Sequence, residues 1–235
     1  SSAASDVYKR QVYPRSVLKQ IVDVAREHGL VVFSDEIYEK ITYDGAEAIN
    51  MATLTGDDVL CLTFSGLSKA YRVCGYRAGW VAITGPKKDA SSYLEGIHLL
   101  ASMRLCANVP AQHAIQTALG GYQSINELIV PGGRLYEQRT LAHKMLNEID
   151  GISCTSADGA LYLFPKIDVE RFDITDDEQF ALDLLKSQKI LFSHGRAFNW
   201  KDPDHFRLVF LPDTQTLTSA LERLGNFMAD YKQKH

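Results

Sequence analysis

The chain has 235 residues, enough for one large domain or two small ones, and 46% of them are apolar, so a sizeable core can be buried. Its 25 Lys and Arg against 29 Asp and Glu leave a net charge of −4 with no long basic run, which argues against a nucleic-acid surface. No apolar stretch approaches the length of a membrane span, and no secretory leader is visible, so no membrane partner is expected. Cys61, Cys74, Cys106 and Cys154 lack metal-ligand spacing. Cys61 and Cys106 sit among apolar or small residues and read as buried free thiols, as suits a reducing cytoplasm. The seven histidines form neither H-x-x-H nor H-E-x-x-H, so no metal site is expected.

Ser1 to Gln11 is small, polar and without periodicity, and it stops abruptly against a helical pattern. It reads as a non-native leader, residues 1–11, such as a cloning or adapter scar. Ser16 to His28 is an amphipathic helix: Leu18, Ile21, Val22, Val24 and Ala25 fall near the helical period, and Gly29 stops it. Leu30 to Phe33 is a short all-apolar strand, as expected for a parallel strand covered on both faces. It ends in Ser34-Asp35-Glu36-Ile37-Tyr38. Ligands of open α/β sheets gather at the carboxyl ends of strands, so Asp35 and Tyr38 are placed for a site. Position alone leaves Asp35 a second role as a helix N-cap, and Tyr38 a second role as a core aromatic.

After polar turns around Asp44-Gly45 and Gly56-Asp57-Asp58, Val59 to Phe64 reads as a buried strand. A small turn, Ser65-Gly66-Leu67-Ser68, then delivers Lys69, and Arg77 follows inside the Gly-bordered segment Gly75 to Trp80. A lysine at the mouth of a buried strand loses hydration, so its neutral amine is easier to reach and can form a Schiff base with a carbonyl. An arginine fork suits a phosphate. Together they suggest pyridoxal 5′-phosphate (PLP), whose pyridinium nitrogen Asp35 could face. The plain alternative for Lys69 is a solvated surface charge.

Ala78 to Thr84 reads as another buried strand, closed by Gly85-Pro86. Lys87 to Met103 is helical, Arg104 to Pro110 is a break, and Ala111 to Leu119 is helical again. Pro131-Gly132-Gly133 interrupts the chain, and Arg134 to Ile149 forms a long helix that could join two domains. From Gly151 short β-like runs (Ile152–Thr155, Ala160–Pro165, Ile190–Ser193, Phe206–Phe210) alternate with helices (Asp176–Gln188, Thr214–Lys232), an α+β texture. Arg207 stands in the otherwise apolar run His205 to Phe210. A charge there is costly unless paired, either by an internal acid or by a substrate carboxylate.

Asp35-Glu36-Ile37-Tyr38, the S-x-x-S-K ending at Lys69, G-Y-R-x-G-W around Arg77 and H-F-R at Arg207 occur in the order found in class I, fold-type I PLP aminotransferases, and the chain resembles that family from about Val12 to its end. Ala101 to Gly121, Phe164 to Asp168 (FPKID) and Ala197 to Trp200 (AFNW) resemble the bacterial alanine (glutamate–pyruvate) subgroup. The resemblance implies an α/β fold: residues 12–133 as the C-terminal part of a three-layer, mostly parallel PLP-binding large domain, and residues 134–235 as a smaller α+β domain. It implies that Lys69 binds PLP covalently and then shuttles the proton between substrate Cα and the cofactor. Asp35 would protonate the ring nitrogen and Tyr38 would hydrogen-bond the phenolic oxygen. Arg77 would hold the phosphate, helped by Ser65 or Ser68, and Arg207 would clamp the substrate α-carboxylate. It further implies amino-acid and 2-oxo-acid substrates, transamination of alanine with 2-oxoglutarate, a cytoplasmic homodimer, and a contribution of Arg104 to Pro110 across the subunit interface.

Two departures stand out. Many members carry serine where this chain has Gly66. The family's N-N-P-T-G loop belongs just before Val12, where Ser1 to Gln11 stands instead, so the chain reads as the C-terminal part of a longer enzyme with some apolar faces uncovered. The alternatives are a truncated, non-catalytic aminotransferase-like module and a fold-type I PLP enzyme of different reaction or amino donor.

Overall fold

The computed structural model describes residues 12–234, and the reading of Ser1 to Gln11 as a foreign leader lies outside them. The described residues divide into two compact units, Val12 to Asn126 and Glu127 onward.

The first unit begins with helix α1, Arg15–Glu27, entered through Pro14 in extended conformation. Leu18, Val22 and Ala25 form its buried stripe at i, i+4 and i+7. Its end shows why glycine follows: Gly29 has φ +60°, which lets the Leu30 amide reach back to the Ala25 carbonyl at 2.8 Å. Strand β1, Val32–Asp35, comes next, two residues later than the apolar run suggested. It alternates, with Val32 and Ser34 inward and Phe33 and Asp35 outward. A short helix α2, Ala52–Thr55, leads to β2, Cys61–Gly66, and a long loop leads to β3, Gly79–Thr84.

The strands form one sheet in the order β1-β2-β3. β1 and β2 run parallel, with Asp35 opposite Phe64, and β3 runs antiparallel to β2, with Gly79 opposite Gly66. The core lies where α1 covers β1 and β2: Leu18, Val22, Ala25, Val32, Met51, Val59 and Cys61 pack together. Two expectations need correction. β1 is not covered on both faces, because Phe33 is 51% exposed and only stacks on Phe64 at 5.8 Å. β3 is not a buried strand, because it is the edge of the sheet and each of its residues is exposed or half-buried. β2, the central strand, is the buried one from Cys61 to Thr63.

Helices α3, Ser91–Arg104, and α4, Val109–Gly120, complete the unit. Asn108 caps α4 by accepting the Ala111 amide. α3 buries none of its residues. Cys106, in the irregular stretch between the two helices, is exposed rather than buried as expected, whereas Cys61 is fully buried.

In the second unit α5, Arg134–Asn147, packs on α8, Thr214–Asp230, through Leu135, Ala142 and Leu146 on one side and Leu217, Leu221, Leu224 and Met228 on the other. Gln138 and Arg134 donate to the carbonyls of Pro212 and Leu211, which fixes the turn entering α8. Between them lie the short strands β4 (Ile152–Ser153), β5 (Tyr162–Leu163), β6 (Lys166–Ile167) and β7 (Ser193–His194), and the longer β8 (Phe206–Val209). β5, β8 and β7 form an antiparallel sheet in that order, and β4 pairs with β6. Helices α6, Val169–Phe172, and α7, Asp177–Gln188, lie between β6 and β7, with Asp176 capping α7. This is the α+β texture read from the sequence, with β6 added.

Candidate active site

Three chain segments meet at one end of the first unit's sheet. Parallel pairing puts the carboxyl ends of β1 and β2 side by side, and antiparallel pairing brings the start of β3 to the same end. Asp35 ends β1 and Tyr38 follows it, Ser65 is the penultimate residue of β2 with Ser68 and Lys69 just after it, and Arg77 precedes β3. Six of the seven candidate residues therefore gather from a span of 43 positions, 35 to 77. The seventh, Arg207, belongs to the second unit.

Each is held by a local cause. The Glu36 amide donates to the Phe64 carbonyl at 2.8 Å, which ties the exit of β1 to β2 just before Ser65. The Asp35 carboxylate accepts the Ile37 amide at 3.2 Å, closing a turn on itself. No helix follows: Ile37 to Lys40 is a turn, so the N-cap alternative for Asp35 does not apply. Asp35 is exposed and Tyr38 half-buried.

The loop from Leu67 to Ala78 is closed at its neck, where the Leu67 amide donates to the Ala78 carbonyl at 3.1 Å and Leu67 itself is buried. Lys69 and Arg77 thus sit in one closed loop. The Arg72 amide bonds the Lys69 carbonyl at 3.0 Å. The Lys69 Nζ lies 5.7 Å from the centre of the Tyr38 ring, within the range of a cation–π contact. Arg72 and Arg77 both have left-handed backbones, φ +58° and +50°. That conformation costs a non-glycine residue roughly 1–2 kcal/mol, and such strain clusters at functional sites. The Arg77 side chain curls back to donate to the Cys74 carbonyl at 2.8 Å and remains exposed.

The serine that many family members carry at position 66 would be crowded in this backbone. A Cβ on Gly66 would stand 3.0 Å from the Ala78 carbonyl oxygen and 3.1 Å from the Gly79 Cα. Ser65 and Ser68 are the half-buried hydroxyls on either side of that position.

Sequence reasoning passed over several supporting residues. The Glu36 carboxylate accepts from the Ser34 hydroxyl, the Asn50 amide and the Met51 backbone N–H, and so anchors the turn that carries Asp35 and Tyr38. Burial pushes its carboxyl above the usual glutamate range, against the pull of those hydrogen bonds. Asn108 donates to the Tyr76 carbonyl at 3.0 Å, beside Arg77. The Tyr71 hydroxyl is buried with no hydrogen-bond partner among the described residues, and burial raises its pKa. An acid inside the D-E-I-Y run could have flagged Glu36. Nothing in the sequence links it to Asn50, or Asn108 to Tyr76.

Arg207, on β8, has its Cζ 4.6 Å from the centre of the Tyr162 ring and 4.4 Å from that of Phe198. Among the described residues its buried Nε has no hydrogen-bond partner, and no ion pair includes it. The internal acid that was one of its two expected partners is therefore not found there.

An amine, a carboxylate, a phenol, a guanidinium and two hydroxyls at one sheet end form a donor set suited to a ring compound that bears an aldehyde and a phosphate. Residues 11–224 match the family described as aminotransferase class I and II, and the chain belongs to that family. Among similar proteins, an alanine aminotransferase of Mycobacterium tuberculosis is 62% identical over 222 residues, covering 94% of this chain and 52% of the relative. The glutamate-pyruvate aminotransferase AlaA of Escherichia coli is 56% identical over 94% of this chain and 55% of its own length. A crystal structure of an Escherichia coli aminotransferase superposes with a TM-score of 0.93 at 55% identity, over 96% of this chain and 55% of that one. An alanine aminotransferase from Pyrococcus furiosus superposes with a TM-score of 0.87 at 39% identity, over 94% of this chain and 55% of that one. The chain spans about half the length of the curated relatives it matches.

Proposed function

We propose that the full-length protein carrying this chain is a PLP-dependent alanine aminotransferase, converting alanine and 2-oxoglutarate to pyruvate and glutamate. The observation that carries the reading is the meeting of Asp35, Tyr38, Ser65, Ser68, Lys69 and Arg77 at one end of a single sheet, in a chain 62% identical to an alanine aminotransferase. The donor set fits PLP group by group. When bound, PLP supplies an electron sink for the charge that develops at the substrate Cα.

The residues have distinct tasks. Lys69 would hold the cofactor through its amine, and that amine, when free, would move the proton between the substrate Cα and the cofactor. The Asp35 carboxylate would face the ring nitrogen and favour a proton on it. Tyr38 would donate to the phenolic oxygen. Arg77, with Ser65 or Ser68, would hold the phosphate through charge-assisted hydrogen bonds. Arg207 receives the α-carboxylate, which explains a guanidinium without an internal acid. In this reading residues 12–133 are the C-terminal part of the cofactor-binding large domain and residues 134–235 the small domain. The homodimer and the reducing cytoplasm of the family belong to the same reading.

The test is a donor and acceptor panel on the full-length protein. Alanine with 2-oxoglutarate should outrun other pairs, and Lys69→Ala should abolish both turnover and the absorbance band of the lysine-linked cofactor. Bound PLP without transamination of any pair would refute the aminotransferase reading. Turnover led by another amino donor would refute the alanine assignment.

A further inference from the structure

Two motifs of the second unit have no role in the proposed chemistry: Phe164 to Asp168 and Ala197 to Trp200. Both converge on Arg207. Phe198 closes the single helical turn Gly195–Phe198 that follows β7, and its ring centre is 4.4 Å from the Arg207 Cζ. Tyr162, on β5, presents its ring at 4.6 Å. Between them the two rings supply what an internal acid does not, a face of negative potential for the guanidinium.

The rings are themselves held in place. The Gly195 amide donates to the His205 carbonyl at 2.8 Å, which presses the turn carrying Phe198 onto the start of β8. A Cβ on Gly195 would stand 2.8 Å from that same carbonyl oxygen, so the close approach depends on glycine. Phe164 meets Phe198 edge-on at 6.4 Å and stacks on His205 at 4.8 Å. Asp204 accepts from Trp200 Nε1 at 2.8 Å and pairs with His205 Nδ1 at 2.6 Å, which locks the rings on the far side of Phe164. A fixed aromatic wall therefore runs from Asp204 through Phe164 to Phe198.

We propose that Phe198 and Tyr162 are positioning residues for the Arg207 guanidinium, setting the orientation in which it receives the substrate carboxylate. This rests on the reading that Arg207 is the carboxylate receptor. A loosely held arginine pays side-chain entropy each time it binds an anion, whereas one already held between fixed groups does not. Substrate and transition state share the carboxylate, so losing a ring weakens binding of both, raising KM while kcat is kept.

The experiment uses the full-length holoenzyme and four variants: Phe198→Leu, Phe198→Tyr, Tyr162→Leu and Arg207→Ala. The readouts are KM and kcat for alanine, and the dissociation constant of propionate, which is alanine without its amino group, by titration calorimetry. Phe198→Leu and Tyr162→Leu should each raise KM and the propionate constant about tenfold with kcat close to wild type, and Phe198→Tyr should restore both. Arg207→Ala should raise them further. If Arg207→Ala weakens propionate but neither leucine variant does, or if the leucine variants lower kcat alone, the positioning role is overturned and the Arg207 reading survives. If Arg207→Ala itself leaves propionate binding unchanged, the receptor reading fails first, and the positioning role with it.

Discussion

Gly79 stands opposite Gly66 in the pairing of β2 with β3, two residues after Arg77. Replacing it with alanine would put a Cβ 2.8 Å from the Ser65 carbonyl oxygen and 3.5 Å from the Gly66 Cα. Even the closer carbon–oxygen contacts between strands lie at about 3.3–3.6 Å, so the two strands would have to part by about half an ångström. Both opposing atoms are backbone, so no side chain can rotate away. Overpacking of this kind costs about 1–3 kcal/mol, and the opening falls between Ser65 and Arg77, on either side of the proposed phosphate position. Gly79→Ala should therefore lower the thermal midpoint by several degrees and weaken PLP binding in the full-length protein. Gly75→Ala is the matched control, because a Cβ there meets nothing within 4 Å. Thermal unfolding followed by circular dichroism, with equilibrium titration of PLP, measures both effects. Wild-type stability and affinity in Gly79→Ala would refute the argument that this close approach shapes the site.

The Glu36 carboxyl has a raised pKa because burial opposes its ionisation. Its contribution to stability is complete below the ordinary glutamate value and is lost as pH rises through the higher folded value, so the folded protein should lose stability across that window. Glu36→Gln should flatten this part of the stability-pH curve, measured by denaturant midpoints, and an unchanged slope would refute the assignment. For Asp204, burial pushes the carboxyl up, but the hydrogen bonds from His205 and Trp200 outweigh it and hold the group below the usual aspartate range. Its stabilisation is present above the unfolded aspartate pKa and fades as pH falls through the lower folded one. Asp204→Ala removes the acceptor that Trp200 Nε1–H and His205 Nδ1 share, so a loss of about 2–3 kcal/mol near neutral pH, shrinking in acid, is the expected outcome by chemical denaturation.

Much of this was legible in the sequence because it rests on local rules. The period of Leu18, Val22 and Ala25 and the stop at Gly29 gave α1 to within a residue at either end. The run Val59 to Phe64 was recognisable as a buried strand, yet its ladder extends to Gly66, since backbone pairing does not need apolar side chains once Gly66 and Gly79 can approach each other. The exposure of β3 was not legible, because an edge strand and a central strand share the same apolar composition and differ only in who pairs with them. Cys106 fails for a related reason: small and apolar neighbours along the chain do not make a core unless the flanking helices pack.

At the site, residue types and order were readable, and the sheet topology supplies the reason they meet. Long-range partners were not readable. Glu36 reaches Asn50 across 14 positions, and Asn108 reaches Tyr76 across 32. The environment of Arg207 was open between an acid and a ligand, and the rings of Tyr162 and Phe198 lie 45 residues before it and 9 before it in the chain.

The central claim is that Lys69 carries the cofactor. Borohydride reduction of the full-length holoenzyme, followed by peptide mass spectrometry, tests it directly. The account predicts a phosphopyridoxyl group on the peptide that contains Lys69 and on no other lysine. A group fixed to a different lysine, with Lys69 unlabelled, would contradict it.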